Sequence, residues 1–280
     1  MIDPAAINMN EQVSELSLAA VAEAKGLYAQ SVTWVHHWTA DLFSFRIERP
    51  QSFRFSSGEF VMIGLLGPDG RPVMRAYSIA SPAWEDQLEF FSVKVPHGAL
   101  TSRLQHVKVG DQILLGRKPT GTLVADALEP GERLIMVGTG TGLAPFLSVL
   151  RDPETHERFA HVIVSHTVRQ KEELAYRTFL EEEIRTDEIF GELLRDRFTY
   201  YPTVTRGEFH RKGRITDRIR EGLFSEDLGL TIEARQTSRF MICGSIAFNK
   251  EMVQILSEWG LAEGTHSHPG QYVVERAFVG

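Results

Sequence analysis

Hydrophobic and polar positions fall into two textures along the chain. From about Lys25 to Val124 the apolar residues come in short runs with strand-like alternation: SVTWVHHWT (31–39), LFSFRIE (42–48), EFVMIGLL (59–66), MRAYSIAS (74–81) and LEFFSVKV (88–95). β-Branched and aromatic residues dominate them, and Gly67-Pro68-Asp69-Gly70 and Ser81-Pro82 punctuate them as turns. Closely spaced short strands of this kind predict an antiparallel barrel or sandwich. A short helix is expected over Leu100–His106, with Thr101 and Ser102 as capping residues.

After Val124 the period changes. Strands are predicted at Arg133–Val137, His161–Ser165, Phe198–Val204 and Arg239–Cys243. Helices are predicted at Leu143–Leu150, Lys171–Arg185, Ile215–Glu221 and Phe248–Trp259. Strand–helix alternation implies a parallel sheet covered by helices. The fold class is therefore a two-domain chain, with an N-terminal antiparallel β-barrel and a C-terminal α/β nucleotide-binding domain. Asp126–Glu132 carries Pro and Gly and marks the boundary. The expected division is 1–24 as a flexible start, 25–128 as the barrel and 129–280 as the α/β domain.

Composition narrows the function. The chain has 280 residues, 42% hydrophobic and 24% charged, which is the profile of a globular protein. The net charge of -7 argues against a sequence-independent grip on nucleic acid, which needs a basic face. No apolar run is long enough for a membrane-spanning helix. The single cysteine, Cys243, leaves no intrachain disulfide framework and no cysteine-ligated cluster, in keeping with a cytoplasmic protein. His36, His37, His166, His266 and His268 lack the acidic or cysteine partners of a metal set, so they read as surface or barrel histidines and no metal is expected.

The sharpest chemical signal is VGTGTGLAPF, Val137 to Phe146. It follows a predicted strand and opens a predicted helix. Glycines at 138, 140 and 142 allow a tight turn, the helix start offers unpaired N–H groups, and Pro145 suits an early helical position. These features fit a pyrophosphate, and the same spacing also serves a purely structural βα turn. At the strand ends that follow lie His166-Thr167-Val168-Arg169, Val204-Thr205-Arg206 and Lys212-Gly213-Arg214. Arginines there are either ordinary solvated charges or a clamp for a 2′-phosphate, which would favour NADP(H) over NAD(H). In the first half, Arg75 and Tyr77 alternate onto one strand face; on these residues alone they read first as a barrel strand with a surface arginine and a half-buried tyrosine, and second as an arginine holding a phosphate beside a stacking ring. Gly98 with Thr101 and Ser102 reads either as a second anion-receptive turn or as a plain capped loop.

The order of these motifs resembles the ferredoxin–NADP+ reductase family, most closely its bacterial flavodoxin/ferredoxin–NADP+ reductases. The likeness rests on Arg75-Ala76-Tyr77-Ser78, then Val95 to Ser102, then Gly140-Thr141-Gly142 with Pro145, then Cys243-Gly244-Ser245, then the tail VVERAFVG. It covers about Leu16 to the end. The resemblance implies FAD and NADP(H) as cofactors. Arg75 and Ala76 would meet the FAD pyrophosphate region, Tyr77 would stack on the isoalloxazine, and Ser78 would hydrogen-bond near its N5. Ser92, Val93 and Lys94 would line the flavin, with Gly98, Leu100 and Thr101 around the diphosphate. Gly140 and Thr141 would serve the nicotinamide nucleotide, with Thr141 also reaching the flavin. Arg169, Arg206 and Arg214 match the 2′-phosphate positions. Cys243 would lie against the nicotinamide without thiolate chemistry, and Glu275 would act as a charge or proton relay. Ala277 and Phe278 would cover the other flavin face or the FAD adenine.

The implied activity is hydride exchange between NADP(H) and FAD, then single-electron exchange with ferredoxin or flavodoxin, by a monomer. A flavin or ferric reductase of the same superfamily and a non-turnover redox sensor are the rival readings. Two departures stand out: Ile246 follows Cys243-Gly244-Ser245, where many relatives have Pro or Asn, and the tail ends two residues after Phe278.

Overall fold

The computed structural model describes residues 18–276, apart from 96 and 189. The chain forms two compact units, each with its own sheet. The first takes residues up to Phe55, Phe60–Ser78 and Glu85–Thr120. The second takes Ser56–Glu59, Ile79–Trp84 and everything from Gly121.

The first unit is a barrel-like antiparallel sheet of β1 (Tyr28–His37), β2 (Leu42–Glu48), β3 (Phe60–Leu66), β4 (Pro72–Ser78), β5 (Gln87–Val93) and β6 (Gln112–Leu115). Its order is β4-β3-β6-β1-β2-β5. The alternation read from the sequence becomes the inward face: Phe43, Phe45, Ile47, Val61, Ile63, Leu88, Phe90, Ile113 and Leu115 are all buried. Edge strands β4 and β5 meet through side chains. The Tyr77 hydroxyl lies 3.0 Å from Ser92 Oγ, and its ring stands edge-on to Phe90.

Three details of this half differ from expectation. Residues 18–24, assigned to a flexible start, are helical, and Ala22 is buried. The helix after β5 is shorter, Thr101–Leu104, and has no side-chain cap. Thr101 Oγ1 is turned back instead, accepting from the Val95 N–H at 3.2 Å. β6 was not anticipated, because four residues are too few to show a period.

The second unit is a parallel sheet of β7 (Arg133–Thr139), β8 (His161–Val168), β9 (Phe198–Val204), β10 (Ser238–Cys243) and β11 (Tyr272–Val274), in the order β11-β10-β7-β8-β9. One core joins Ile135, Val137, Ile163 and Ile242 to apolar residues of the helices Ile215–Arg220, Leu223–Asp227 and Ile246–Glu258. From the Ala144–Leu150 helix, the Phe146 ring comes against Gly138 at the end of β7. The two inserted segments are held here: the Gly58 N–H donates to Ser148 Oγ at 3.3 Å, Ser148 Oγ donates to Ser81 O at 2.7 Å, and Arg151 donates to Ala80 O.

The single helix expected over Lys171–Arg185 is broken. A 3-10 turn, Lys171–Glu173, is closed by a capping box between Gln170 and Glu173. Leu174, Ala175 and Tyr176 are buried, and Tyr176 has a φ of 61°. A left-handed residue cannot sit inside a right-handed helix, so helix resumes only after it. The charge pattern concealed the break, since three successive buried residues do not lie on one helical face.

Candidate functional site

The order β11-β10-β7-β8-β9 reverses direction between β7 and β10, and ligands of such sheets bind at the carboxyl ends of the strands flanking that reversal. The Gly-rich turn follows β7 there. It is a 3-10 turn, Gly140–Leu143, running into the helix Ala144–Leu150 with Pro145 in its first turn. The three glycines have separate tasks. Gly140 has a φ of 55°, which side chains disfavour. A Cβ at Gly138 would come within 2.8 Å of the Phe146 ring, and one at Gly142 would run into the carbonyl oxygen of Cys243. Gly138 and Gly142 therefore serve close packing, and Gly140 the bend itself.

His166, on β8, is fully buried beneath this turn. Its Nε2 lies 2.9 Å from Gly140 O and its Nδ1 lies 3.2 Å from the Tyr200 hydroxyl of β9. Burial pushes its pKa down to about 4, only partly offset by the bond to Gly140. The expectation of a surface or barrel histidine is corrected here: the ring belongs to the core of the parallel sheet. Tyr200 was not singled out in the sequence at all. Among the described residues no cluster of three or more His, Cys, Asp or Glu could hold a metal.

Beyond β8, Arg169 is exposed, and Glu173 accepts from the backbone N–H groups of Arg169 and Gln170 at 2.8 and 3.0 Å. Arg206, just past β9, is also exposed, and its N–H donates to Arg169 O at 2.8 Å. Two of the three expected arginines are thus brought together by backbone. Arg214 is differently placed, with its guanidinium 2.7 Å from Glu251, which also binds Arg220. Glu251 lay beyond the reach of sequence reasoning, because the pair joins residues 37 apart.

Cys243 ends β10 fully buried, and its pKa is driven up by burial and then by Glu275. It is a neutral packing thiol. Glu275 is 4% exposed, so it is not the solvated terminal acid that its position suggests. Its backbone is pinned at both ends: the N–H donates to Ile242 O at 2.9 Å, and its carbonyl accepts from Asn249 Nδ2 at 2.7 Å. A cleft of about 240 Å³ lies here, lined in part by Gly244, Ile246, Asn249 and Glu275.

In the first unit, Tyr77 is buried while Arg75 on the same strand is exposed, its Nη1 donating to the neighbouring Met74 carbonyl. Burial raises the Tyr77 pKa against an opposing hydrogen bond from Ser92, so the phenol stays protonated. Ser78 is 4% exposed, and its Oγ has no hydrogen-bond partner among the described residues. A buried hydroxyl in that state calls for a partner, a water or a ligand atom. Ala76 and Lys94 are half-buried, Ser92 is buried, and Val93 is exposed. At the turn after β5, the Gly98 N–H donates to Val95 O, a Cβ at Gly98 would collide with Thr101 Oγ1, and Leu100 is buried. Ala277 and Phe278 lie outside the described residues.

Residues 31–124 match the oxidoreductase FAD-binding domain family, and residues 136–254 the oxidoreductase NAD-binding domain family. A flavodoxin/ferredoxin–NADP reductase of Rhodobacter capsulatus is 56% identical over 261 residues, covering 93% of this chain and 97% of that protein. The chain belongs to the ferredoxin–NADP reductase family. A ferredoxin–NADP reductase of Azotobacter vinelandii is 53% identical, over 90% of this chain and 98% of its own length. The crystal structure of a ferredoxin NADP+ reductase from Neisseria gonorrhoeae with bound FAD and NADP superposes with a TM-score of 0.81 at 32% identity, covering 90% of this chain and 99% of that one. The family's two domains correspond to the barrel-like sheet and the parallel sheet. No described helix is long and apolar enough to cross a membrane.

Proposed function

We propose that this chain exchanges a hydride between NADP(H) and FAD, and single electrons between FAD and ferredoxin or flavodoxin. Residues 25–128 serve FAD and residues 129–280 serve NADP(H). The observation that carries the reading is the pair Arg169 and Arg206, joined by backbone at the carboxyl edge of the sheet and without an ion pair among the described residues. Two free guanidiniums beside a Gly-rich turn are suited to a nucleotide that carries an extra phosphate. Arg214 must leave or share Glu251 to join them.

The first unit fits FAD. Arg75 is available for the pyrophosphate, with Ala76 beside it. Tyr77 presents a protonated ring fixed through Ser92, and the unpartnered Ser78 hydroxyl supplies the hydrogen bond near the flavin N5. Val93 and Lys94 line the ring, and the Gly98–Thr101 turn, including Leu100, takes the diphosphate. When bound, FAD supplies the chemistry that converts one hydride into two single electrons. The chain's residues bind and orient. Gly140 and Thr141 hold the nicotinamide nucleotide, and Cys243 packs against its ring as a neutral thiol. Glu275 is a buried acid able to hold charge or a proton, and Ala277 and Phe278 cover the flavin or its adenine. The carrier is ferredoxin or flavodoxin, the site is cytoplasmic, and the working form is a monomer.

Anaerobic titration of the FAD-loaded protein tests this. NADPH is expected to bleach the flavin bands readily and NADH poorly. Arg206→Ala should raise the half-saturating NADPH concentration about thirtyfold, the loss of one charged hydrogen bond of ~2 kcal/mol. Equal bleaching by both nucleotides would remove the arginine clamp. Failure to take up FAD would remove the whole reading.

A further inference from the structure

The hydrogen bonds under the Gly-rich turn form a chain across three adjacent strands. Tyr200 of β9, His166 of β8 and Gly140 after β7 are linked at 3.2 and 2.9 Å. The roles within the chain follow from what each atom can do. A carbonyl oxygen only accepts, so Nε2 facing Gly140 must carry the hydrogen. In a neutral imidazole Nδ1 is then an acceptor, and the Tyr200 hydroxyl must donate to it.

We propose that His166 is a positioning residue for nucleotide binding, acting through the Gly140 carbonyl, with its tautomer set by Tyr200. The peptide from Gly140 to Thr141 is planar and trans, so a carbonyl held toward the core turns the Thr141 N–H the opposite way. Thr141 stands in the first turn of a helical segment, where N–H groups have no intrahelical acceptor and suit an anion. Gly140 needs this support more than its neighbours do. Its φ of 55° has no Cβ to restrain it, and a Cβ there would meet nothing within 4 Å. Without the histidine the peptide is free to rotate. Burial supports the assignment from another side, since a ring whose pKa is about 4 stays neutral throughout the working range. Its two nitrogens then keep fixed and different roles.

This proposal rests on the reading of the turn as the pyrophosphate site. The test uses the full FAD-loaded chain with His166→Ala, His166→Gln and Tyr200→Phe, and binds NADP+ and 2′,5′-ADP by difference spectroscopy. The second ligand lacks the pyrophosphate bridge. His166→Ala should weaken NADP+ about tenfold, as expected for loss of a well-placed hydrogen bond, and 2′,5′-ADP by less than about twofold. The limiting rate at saturating NADPH should stay within about twofold, so the effect falls on KM and not on kcat. His166→Gln, whose amide offers an N–H near the place of Nε2, should recover to within about threefold of the parent, and Tyr200→Phe should lose about threefold.

Unchanged NADP+ affinity in flavin-loaded His166→Ala overturns the proposal. So does an equal loss for both ligands that the glutamine does not recover, which would mark a purely structural ring. Gly140→Ala separates this from the parent reading. If it weakens NADP+ while His166→Ala does not, the turn is the site and His166 does not position it. If neither weakens NADP+, the turn is not the pyrophosphate site.

Discussion

His166 refuses a proton that the unfolded chain accepts. Its folded pKa is about 4 against an ordinary 6.5, because the charged ring would be buried in the sheet. Between those values the unfolded chain binds more protons than the folded one, so stability is lost as pH falls from about 6.5 to about 4, and this group adds nothing further below that. The cost between pH 7 and 5 is ~2 kcal/mol. Unfolding free energies from urea titrations at the two pH values should therefore differ less in His166→Gln than in the parent by about that amount; equal differences would show that the ring titrates normally. The sequence showed His166 only as a histidine in an apolar strand, and the partner that fixes it lies 34 residues away. Arg75, Tyr77 and Ser78 could be proposed from sequence alone because they fall within four residues and their types carry chemistry. The same holds for Gly140 and Thr141. Glu251, Asn249 and Tyr200 were not, because each acts through a contact that only the folded sheet creates.

The turn after β7 shows how one element uses identical residues for different purposes. Gly142→Ala drives a Cβ into the Cys243 backbone, while Gly140→Ala meets no atom and only strains a φ of 55°. Left-handed strain costs about 1–2 kcal/mol. A backbone collision that separates β7 from β10 costs about 3 kcal/mol, the upper end of overpacking effects. Thermal unfolding should rank Gly142→Ala clearly below Gly140→Ala, and the reverse order would mean that the turn relaxes around Gly142 and is not wedged against β10. β-Branched and aromatic content recovered β2, which is buried on both faces over Leu42–Phe45, and periodicity recovered the Ile246–Glu258 helix, which buries one consistent face. It missed β6 and β11, which are four and three residues long and define no face of their own. It also merged the Lys171–Glu173 turn with the helix beyond it, because Glu, Lys and Arg favour helix wherever they fall. The break at Tyr176 is imposed by burial of its neighbours and not by local propensity.

At the scale of the whole molecule, the proposed function draws on separate residues of the two units. Ser78 and its strand belong to the first, and Arg206 with its backbone partner Arg169 to the second. The net charge of -7 therefore says nothing against an anion clamp, since two exposed guanidiniums set the local field whatever the sum over the chain. The division predicts that the two residues control different steps. If the Ser78 hydroxyl bonds the flavin as proposed, Ser78→Ala should lower the limiting rate of flavin reduction by NADPH about fivefold to tenfold with little change in half-saturation. Arg206→Ala should do the opposite, raising half-saturation and sparing the limiting rate. If the residues share no partner, their effects add, and the double variant should match the summed free energies within about 0.5 kcal/mol in stopped-flow traces. A coupling well beyond that would mean that the 2′-phosphate grip also sets the approach of the nicotinamide to the flavin. Binding energy from the remote end of the nucleotide would then be spent at the reacting atoms, and Arg206→Ala alone would already lower the limiting rate.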